Sequence, residues 1–287
     1  MIQESIEPMR RPDRLLRSGR FFTIQLEEQK MYDFCLRLAG VELPCSARYS
    51  DTPSHFGMFS LHPQENGLTQ NARNIQSPLP HTLVTDPVSI PNEDWLEQTK
   101  AGMADNAHME YSFLTGYCSE ALTAFDRVIL HGVALRWKDR AYLICAGSGV
   151  GKSTQTRFLQ ELRPGEFSVI CGDRPILELS ASGSETIVHP SPWNGKENWY
   201  GAQKAPLAGV ILLQRGEENL CEEMDLQKAG LRFYASFIQN YDSPEVIKKI
   251  AELETRLLKT VPFWRLVSHD VPESTRMLLN VVFSEKS

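Results

Sequence analysis

The chain has 287 residues, a net charge of −6, 41% hydrophobic and 23% charged residues, which is the make-up of one large folded domain or of a catalytic domain with a smaller companion. The acidic balance excludes a general electrostatic footprint for nucleic acid or anionic lipid, and no apolar run is long enough to span a bilayer.

Residues 1–20 are polar and basic, with Arg10, Arg11, Arg14, Arg17 and Arg20, and read as a flexible arm. No apolar segment follows those arginines, so a secretory signal is not expected and a cytoplasmic location is. Phe21–Ile24 and Asp33–Leu38 read as strands, punctuated by Gly40 to Pro44. Residues 51–94 are rich in Pro, Ser, Asn, Thr and His, with Phe56–Phe59 and Thr82–Val84 as candidate edge strands. From Met109 to Phe125 the residues Tyr111, Leu114, Tyr117, Cys118, Leu122 and Phe125 recur at helical spacing, despite Gly116. Val128–Trp137 and Ala141–Cys145 flank a Lys138-Asp139 turn and predict an antiparallel hairpin. A helix is expected from Thr154 to Leu162, with Phe158, Leu159 and Leu162 on one face and Pro164-Gly165 ending it. Phe167–Cys171 reads as a buried strand. A hairpin follows, Ile176–Leu179 with Glu185–Val188. After a long loop over 189–206, a strand (Leu207–Leu213), helices at 226–239 and 244–259, a strand (Phe263–Val267) and a helix (Pro272–Val282) complete the pattern. Cys35, Cys45, Cys118, Cys145, Cys171 and Cys221 form no CxxC pair, and several lie in apolar runs, so they read as small buried residues rather than a zinc or disulfide framework.

Between the predicted hairpin and helix stands Ala146-Gly147-Ser148-Gly149-Val150-Gly151-Lys152-Ser153-Thr154. A phosphate-binding loop needs backbone N–H groups turned inward around an anion, and glycine takes the required dihedrals freely. The following helix aims its positive end at the same anion. Lysine adds a point charge on the β/γ-phosphates, and the next hydroxyl can ligate Mg²⁺. Gly147 through Thr154 supply these parts, with ATP and Mg²⁺ as the expected cofactors. The motif G-x-x-x-x-G-K-[ST] has glycine where this chain has Ala146. Asp173, about twenty residues after Lys152, can hold Mg²⁺ or accept a proton from an attacking hydroxyl; a turn-capping aspartate is the plain alternative.

The order His131-Gly132 strand, turn, strand, Gly-Val-Gly-Lys-Ser, helix, strand, Asp173 resembles HPr kinase/phosphorylase and its relatives, which share a fold with phosphoenolpyruvate carboxykinases. The resemblance is strongest over about residues 126–180. It extends loosely through Pro190–Lys196 and Ala205–Gly209. It implies an α/β (α+β) fold in two parts. Residues 106–287 form a P-loop kinase domain with a mixed sheet, and residues 1–105 form a smaller β-rich accessory lobe. It also implies that His131 lies near the transferred phosphate, Lys152 holds the β/γ-phosphates, Ser153 and Asp173 bind Mg²⁺, and Asp173 serves as base. The family has two adjacent aspartates, one assigned as base and acid and the other helping to hold metal; Gly172 replaces the first, so either Asp173 does double duty, or His131 assists, or catalysis is weak. Arg174, Lys196 and Arg215 are candidates for acceptor contacts, and Trp193 and Trp199 for stacking on a ligand or anchoring the loop.

The resulting expectation is an ATP-dependent kinase acting on a hydroxyl of a peptide, small protein or small molecule, with no nucleic-acid or membrane partner and with homo-oligomerisation open. The alternative is a nucleotide-binding regulator without turnover, favoured by Gly172 and Ala146. The family's Arg-Gly-Leu-Gly segment is missing after the catalytic strand, so the acceptor is not expected to be HPr.

Overall fold

The computed structural model describes residues 32–47, 67–69, 83–84, 106–180, 182, 185–197, 199, 201, 203–238 and 244–284. The arm at 1–20 and the strands expected at Phe21–Ile24 and Phe56–Phe59 lie outside the described residues.

Four strands form an N-terminal sheet in the order β3-β1-β2-β4: β1 (Tyr32–Leu38), β2 (Val41–Ala47), β3 (Gly67–Thr69) and β4 (Leu83–Val84). Gly40 to Pro44 does not interrupt the strands as expected. The turn is only Ala39-Gly40, both at positive φ, and Val41–Ala47 runs antiparallel to β1. A two-residue turn makes Leu38↔Val41 a hydrogen-bonded pair, and alternation along the ladder leaves Pro44, opposite Cys35, at a position where β1 needs no N–H from it. Leu36, Leu38, Leu43 and Cys45 then share one core with Leu114, Cys118 and Leu122 of helix α1 (Asn106–Thr123). Those three helical residues are four apart, the spacing that puts them on one face.

The larger sheet has nine strands. Four consecutive neighbours hold the site: β11 (Ala205–Arg215), β7 (Arg140–Cys145), β6 (Gly132–Trp137) and, at the end of the path, β8 (Phe167–Cys171). β6 is antiparallel to both β7 and β8, while β7 is parallel to β11. Away from β7, the start of β11 pairs with β10 (Thr186–His189), which leads to β9 (Ile176–Leu179) and β5 (Arg127–Ile129), and its remainder pairs with β13 (Phe263–Ser268), which leads to β12 (Leu220–Glu223). The apolar run from Val128 to Trp137, expected as one strand, is two: β5 and β6, broken at Leu130-His131. β12, not anticipated from the sequence, pairs antiparallel with β13.

Helices cover both faces. Helix α2 (Lys152–Leu162) and helix α5 (Val271–Val281) pack with Val133, Leu135, Ile144, Ile211 and Leu213. The alternate residues Ala134, Leu143, Cys145, Val210 and Leu212 face Ala229 and Phe233 of α3 (Leu226–Phe233) and Ile250, Leu253 and Leu257 of α4 (Pro244–Leu258). Burial on both faces is why these strands read as continuous apolar runs. On α2 the expected face is corrected. Leu159 is buried, but Phe158 is only half-buried and Leu162 is 38% exposed, and the inward positions are Lys152, Gln155, Thr156 and Leu159. Spacing of three and four from Leu159 selects Gln155 and Thr156 rather than the neighbouring phenylalanine. The helix expected over 226–239 ends at Phe233, followed by one tight turn, Tyr234–Ser236, after which Phe237 is extended and bridges to Leu130.

Candidate active site

Because β6 runs antiparallel to both neighbours, its first residue lies between their last ones. Gly132 is opposite Cys145, the residue before the glycine-rich loop, and Ala134 is opposite Cys171, just before Gly172-Asp173. The register therefore brings His131, the loop and Asp173 to one sheet edge. Backbone hydrogen bonds fix the junction: Gly132 N–H donates to Asp173 O (2.7 Å), and His131 N–H donates to Ser236 O (2.7 Å). Gly132 leaves little room for a side chain, since a Cβ there would press on Cys145 Sγ and Ile144 O at 3.0 Å each.

In the loop, Gly149 (φ 73°) and Gly151 (φ 120°) adopt dihedrals that side-chain-bearing residues rarely take. Ala146 is not among the positive-φ residues, so the motif's missing glycine imposes no backbone strain there. Gly147, Ser148 and Gly149 are exposed, while Val150 and Ser153 are half-buried and Thr154 is exposed. Helix α2 starts after Gly151 with no side-chain cap, which leaves its first-turn N–H groups facing the loop, as an anion site requires. Lys152 is only 8% exposed. Its Nζ donates to Ala146 O (3.0 Å) and Gly147 O (3.3 Å) and lies 3.1 Å from His131 Nε2. Burial pulls the Lys152 pKa below the usual lysine value, opposed by the nearby Asp173 carboxylate. Beneath the loop, burial pushes the Cys145 thiol up to about 12, so it stays protonated.

Asp173 Oδ1 lies 3.4 Å from the same His131 Nε2, and Oδ2 lies 3.3 Å from Arg174 Nε. One imidazole nitrogen thus stands between an ammonium, which must donate, and a carboxylate, which must accept. With Nε2 protonated it donates to Asp173; with Nε2 bare it accepts from Lys152. Burial tends to raise the Asp173 pKa, but the His131 hydrogen bond and the charges of Arg174, His131 and Lys152 outweigh it and hold the carboxyl below the usual range. Asp173 is consequently ionised at neutral pH. With the hydroxyl of Ser153 on the first turn of α2, it offers the hard oxygen donors that suit Mg²⁺. Among the described residues no group of three or more His, Cys, Asp and Glu side chains could hold a metal ion by itself.

The long loop after β10 closes against this edge. Gly195 (φ 71°) lies so near Asp173 that a Cβ would come within 2.9 Å of the Asp173 Cβ. Asn194 O occupies the space beside Gly172, where a Cβ would meet it at 2.6 Å. Trp193 is buried with Nε1 donating to Tyr111 O (2.9 Å), so it anchors the loop to α1. Trp199 lies under the Arg157 guanidinium at 5.7 Å, and Arg157 pairs with Glu197, so the loop also grips α2. Lys196, next to Gly195, is exposed. Arg215 donates from Nη2 to Gly149 O (2.8 Å) and braces the glycine loop from the end of β11. Arg174 donates to α1 instead of facing the loop.

Sequence reasoning missed the buried polar network behind α2. Gln155 donates to Ser268 Oγ (3.1 Å) and Ser274 Oγ (2.7 Å) and accepts from Thr275 Oγ1 (2.7 Å), tying the loop helix to β13 and α5. A glutamine three residues after the loop lysine, on the face occupied by Leu159, was the available signal.

No family model and no curated protein matches the chain. Among solved structures, the HPr(Ser) kinase/phosphatase from Coxiella burnetii is similar at 11% identity and a TM-score of 0.29, over 53% of this chain and 93% of that one. At that level the likeness carries nothing about activity. The chemistry of the site is read from its own residues.

Proposed function

We propose that this protein is an ATP-dependent kinase that transfers a γ-phosphoryl group to a hydroxyl of a peptide, small protein or small molecule. The observation that carries the reading is the meeting of three groups at one sheet edge. They are a lysine on a glycine loop with two positive-φ glycines, a histidine 3.1 Å from it, and an ionised aspartate 3.4 Å from that histidine. The loop N–H groups and Lys152 would hold the β/γ-phosphates. Ser153 and Asp173 would hold Mg²⁺, which supplies charge neutralisation on the phosphate oxygens. Asp173 would take the acceptor's proton as its oxygen bonds to the γ-phosphorus and the bond to the β-bridging oxygen breaks, releasing ADP. A carboxylate below the usual pKa is a weak base. A loose phosphoryl-transfer transition state asks little of one, and positioning and charge carry most of the rate. Arg215 would hold the loop in shape, and Lys196, exposed beside the Gly195 that packs on Asp173, would contact the acceptor.

A second reading, a nucleotide-binding regulator without turnover, is favoured by Gly172. The space beside it is occupied by Asn194 O, so the site has one carboxylate where the resembling family has two. Calorimetry with MgATP and transfer of labelled phosphate from ATP to a pool of peptides and small hydroxyl compounds separate the two. The kinase reading expects binding and labelling by the wild type, loss of binding in Lys152→Ala, and binding without labelling in Asp173→Asn. Binding without any transferred label supports the regulator; no binding by the wild type rejects both.

A further inference from the structure

Arg174 follows Asp173 directly, yet its donors turn to α1. Nη1 donates to Thr115 Oγ1 (2.6 Å) and to Ser112 O (3.1 Å). The Thr115 hydroxyl spends its own proton on Ser112 O (2.6 Å), so toward Arg174 it is an acceptor. Nε is buried, makes no hydrogen bond, and lies 3.3 Å from Asp173 Oδ2. The Arg174 backbone N–H donates to Trp193 O (3.1 Å), and Trp193 in turn is held by Tyr111 on the same turn of α1. Both oxygens of the site's carboxylate are therefore engaged, Oδ1 by His131 and Oδ2 by an arginine fastened to a helix.

We infer that Arg174 is a positioning residue for Asp173: anchored on the Ser112–Thr115 turn of α1, its guanidinium holds Oδ2 and thereby sets the direction in which Oδ1 is presented to His131. The inference rests on the reading of Asp173 given under Proposed function. It assigns Arg174 to the carboxylate rather than to the acceptor, because Nη1 is committed to α1 and Nε faces Asp173 Oδ2. A rigid planar fork can serve Thr115 and Asp173 together, whereas a lysine offers one point charge. Leu114, Cys118 and Leu122 of the same helix pack into the core shared with the N-terminal sheet, so the anchor is continuous with that sheet.

The test uses the full chain as wild type, Thr115→Val, Arg174→Lys and Arg174→Ala, each with aspartate ¹³C-labelled at the carboxyl carbon. The Asp173 resonance is assigned by its loss in Asp173→Asn. Its titration is followed by NMR, alongside MgATP affinity and phosphoryl transfer as a function of pH. Loss of the Arg174 charge removes one cause of the low Asp173 pKa, so the titration midpoint moves up in Arg174→Ala. It moves less in Arg174→Lys and in Thr115→Val. The acid limb of the kcat profile moves with it, kcat falls about tenfold to a hundredfold, and KM for ATP is unchanged. An Asp173 midpoint identical in wild type and Arg174→Ala overturns the inference. So does a rise in acceptor KM with kcat and midpoint unchanged, the signature of an acceptor-binding arginine. If Arg174→Ala does not fold, the nearly isosteric Thr115→Val decides by the same readouts. If the wild type transfers no phosphoryl group, the proposed function fails, and the carboxyl titration still decides the role of Arg174.

Discussion

Placing alanine at position 172 adds one methyl group to the tightest point of the site. That methyl would lie 2.6 Å from Asn194 O and 3.2 Å from Trp199 Cβ, against an ordinary contact of about 3.5 Å. The nearer partner is a backbone oxygen of a loop anchored at Trp193 to α1 and at Glu197 to α2, so it cannot simply swing aside. Overpacking against such a neighbour costs about 1–3 kcal/mol, or a fall in melting temperature of about 2–12 °C for a domain of this size. Gly172→Ala should therefore melt measurably earlier in a thermal scan followed by tryptophan fluorescence. Gly172→Asp, which installs the resembling family's first aspartate, should be worse, because it adds a carboxylate to the same closed space. Combining either with Asn194→Ala should give no rescue, since the obstructing atom is main chain. A Gly172→Ala protein that melts within about 1 °C of wild type would refute the steric reasoning, and a Gly172→Asp protein with enhanced transfer would show that the loop yields.

Two further outcomes follow from buried polar groups. Glu254 has an Oε1 without a hydrogen-bond partner, and burial pushes its carboxyl up to about 7. The folded state thus holds that proton more tightly than the unfolded chain, and the protonated form's contribution to stability is lost as pH rises from about 4.3 to about 7. Glu254→Gln should flatten the decline in melting temperature across that window, and an unchanged pH profile would count against it. Gln155→Ala should lower unfolding free energy in urea by about 2–4 kcal/mol, by opening a cavity and removing three hydrogen bonds to Ser268, Ser274 and Thr275. A loss below about 0.5 kcal/mol would mean that Ser274 and Thr275 are satisfied by Val271 O of their own helix.

The glycine loop, the hairpin before it and the helix after it were legible because each is specified locally. Positive-φ glycines, a polar two-residue turn and three-to-four spacing need no knowledge of distant residues. The break between β5 and β6 was not legible, since Val128–Trp137 is one apolar run. The chain departs there because His131 N–H is taken by Ser236 O and Gly132 N–H by Asp173 O, contacts more than forty residues removed in sequence. For the same reason the helix expected to reach 239 stops at Phe233: the following residues are drawn to the strand edge, where Ile238 N–H donates to Ile129 O (2.9 Å). β12 is short and acidic, poor in β-forming residues apart from Leu220 and Cys221, and exists through its pairing with β13. Within the site, the sequence indicated His131, Lys152 and Asp173 individually. It did not indicate that Arg174 and Trp193 would tie Asp173 and its covering loop to one turn of α1, because that depends on where the helix docks.

The antiparallel setting of β6 between β7 and β8 divides the sheet into two ends with unequal tolerance. At one end meet a strand start and two strand ends, and a residue added or removed there would displace His131 relative to Lys152 or Asp173. At the other end the Lys138-Asp139 turn joins β6 to β7 six residues away, about 20 Å along the strand. The pairing of β6 with β8 and of β7 with β11 holds the register independently of that turn, so an insertion there should leave the hairpin's other end in place. It is the natural place to splice in a reporter or affinity sequence while leaving the chemistry at the opposite edge alone.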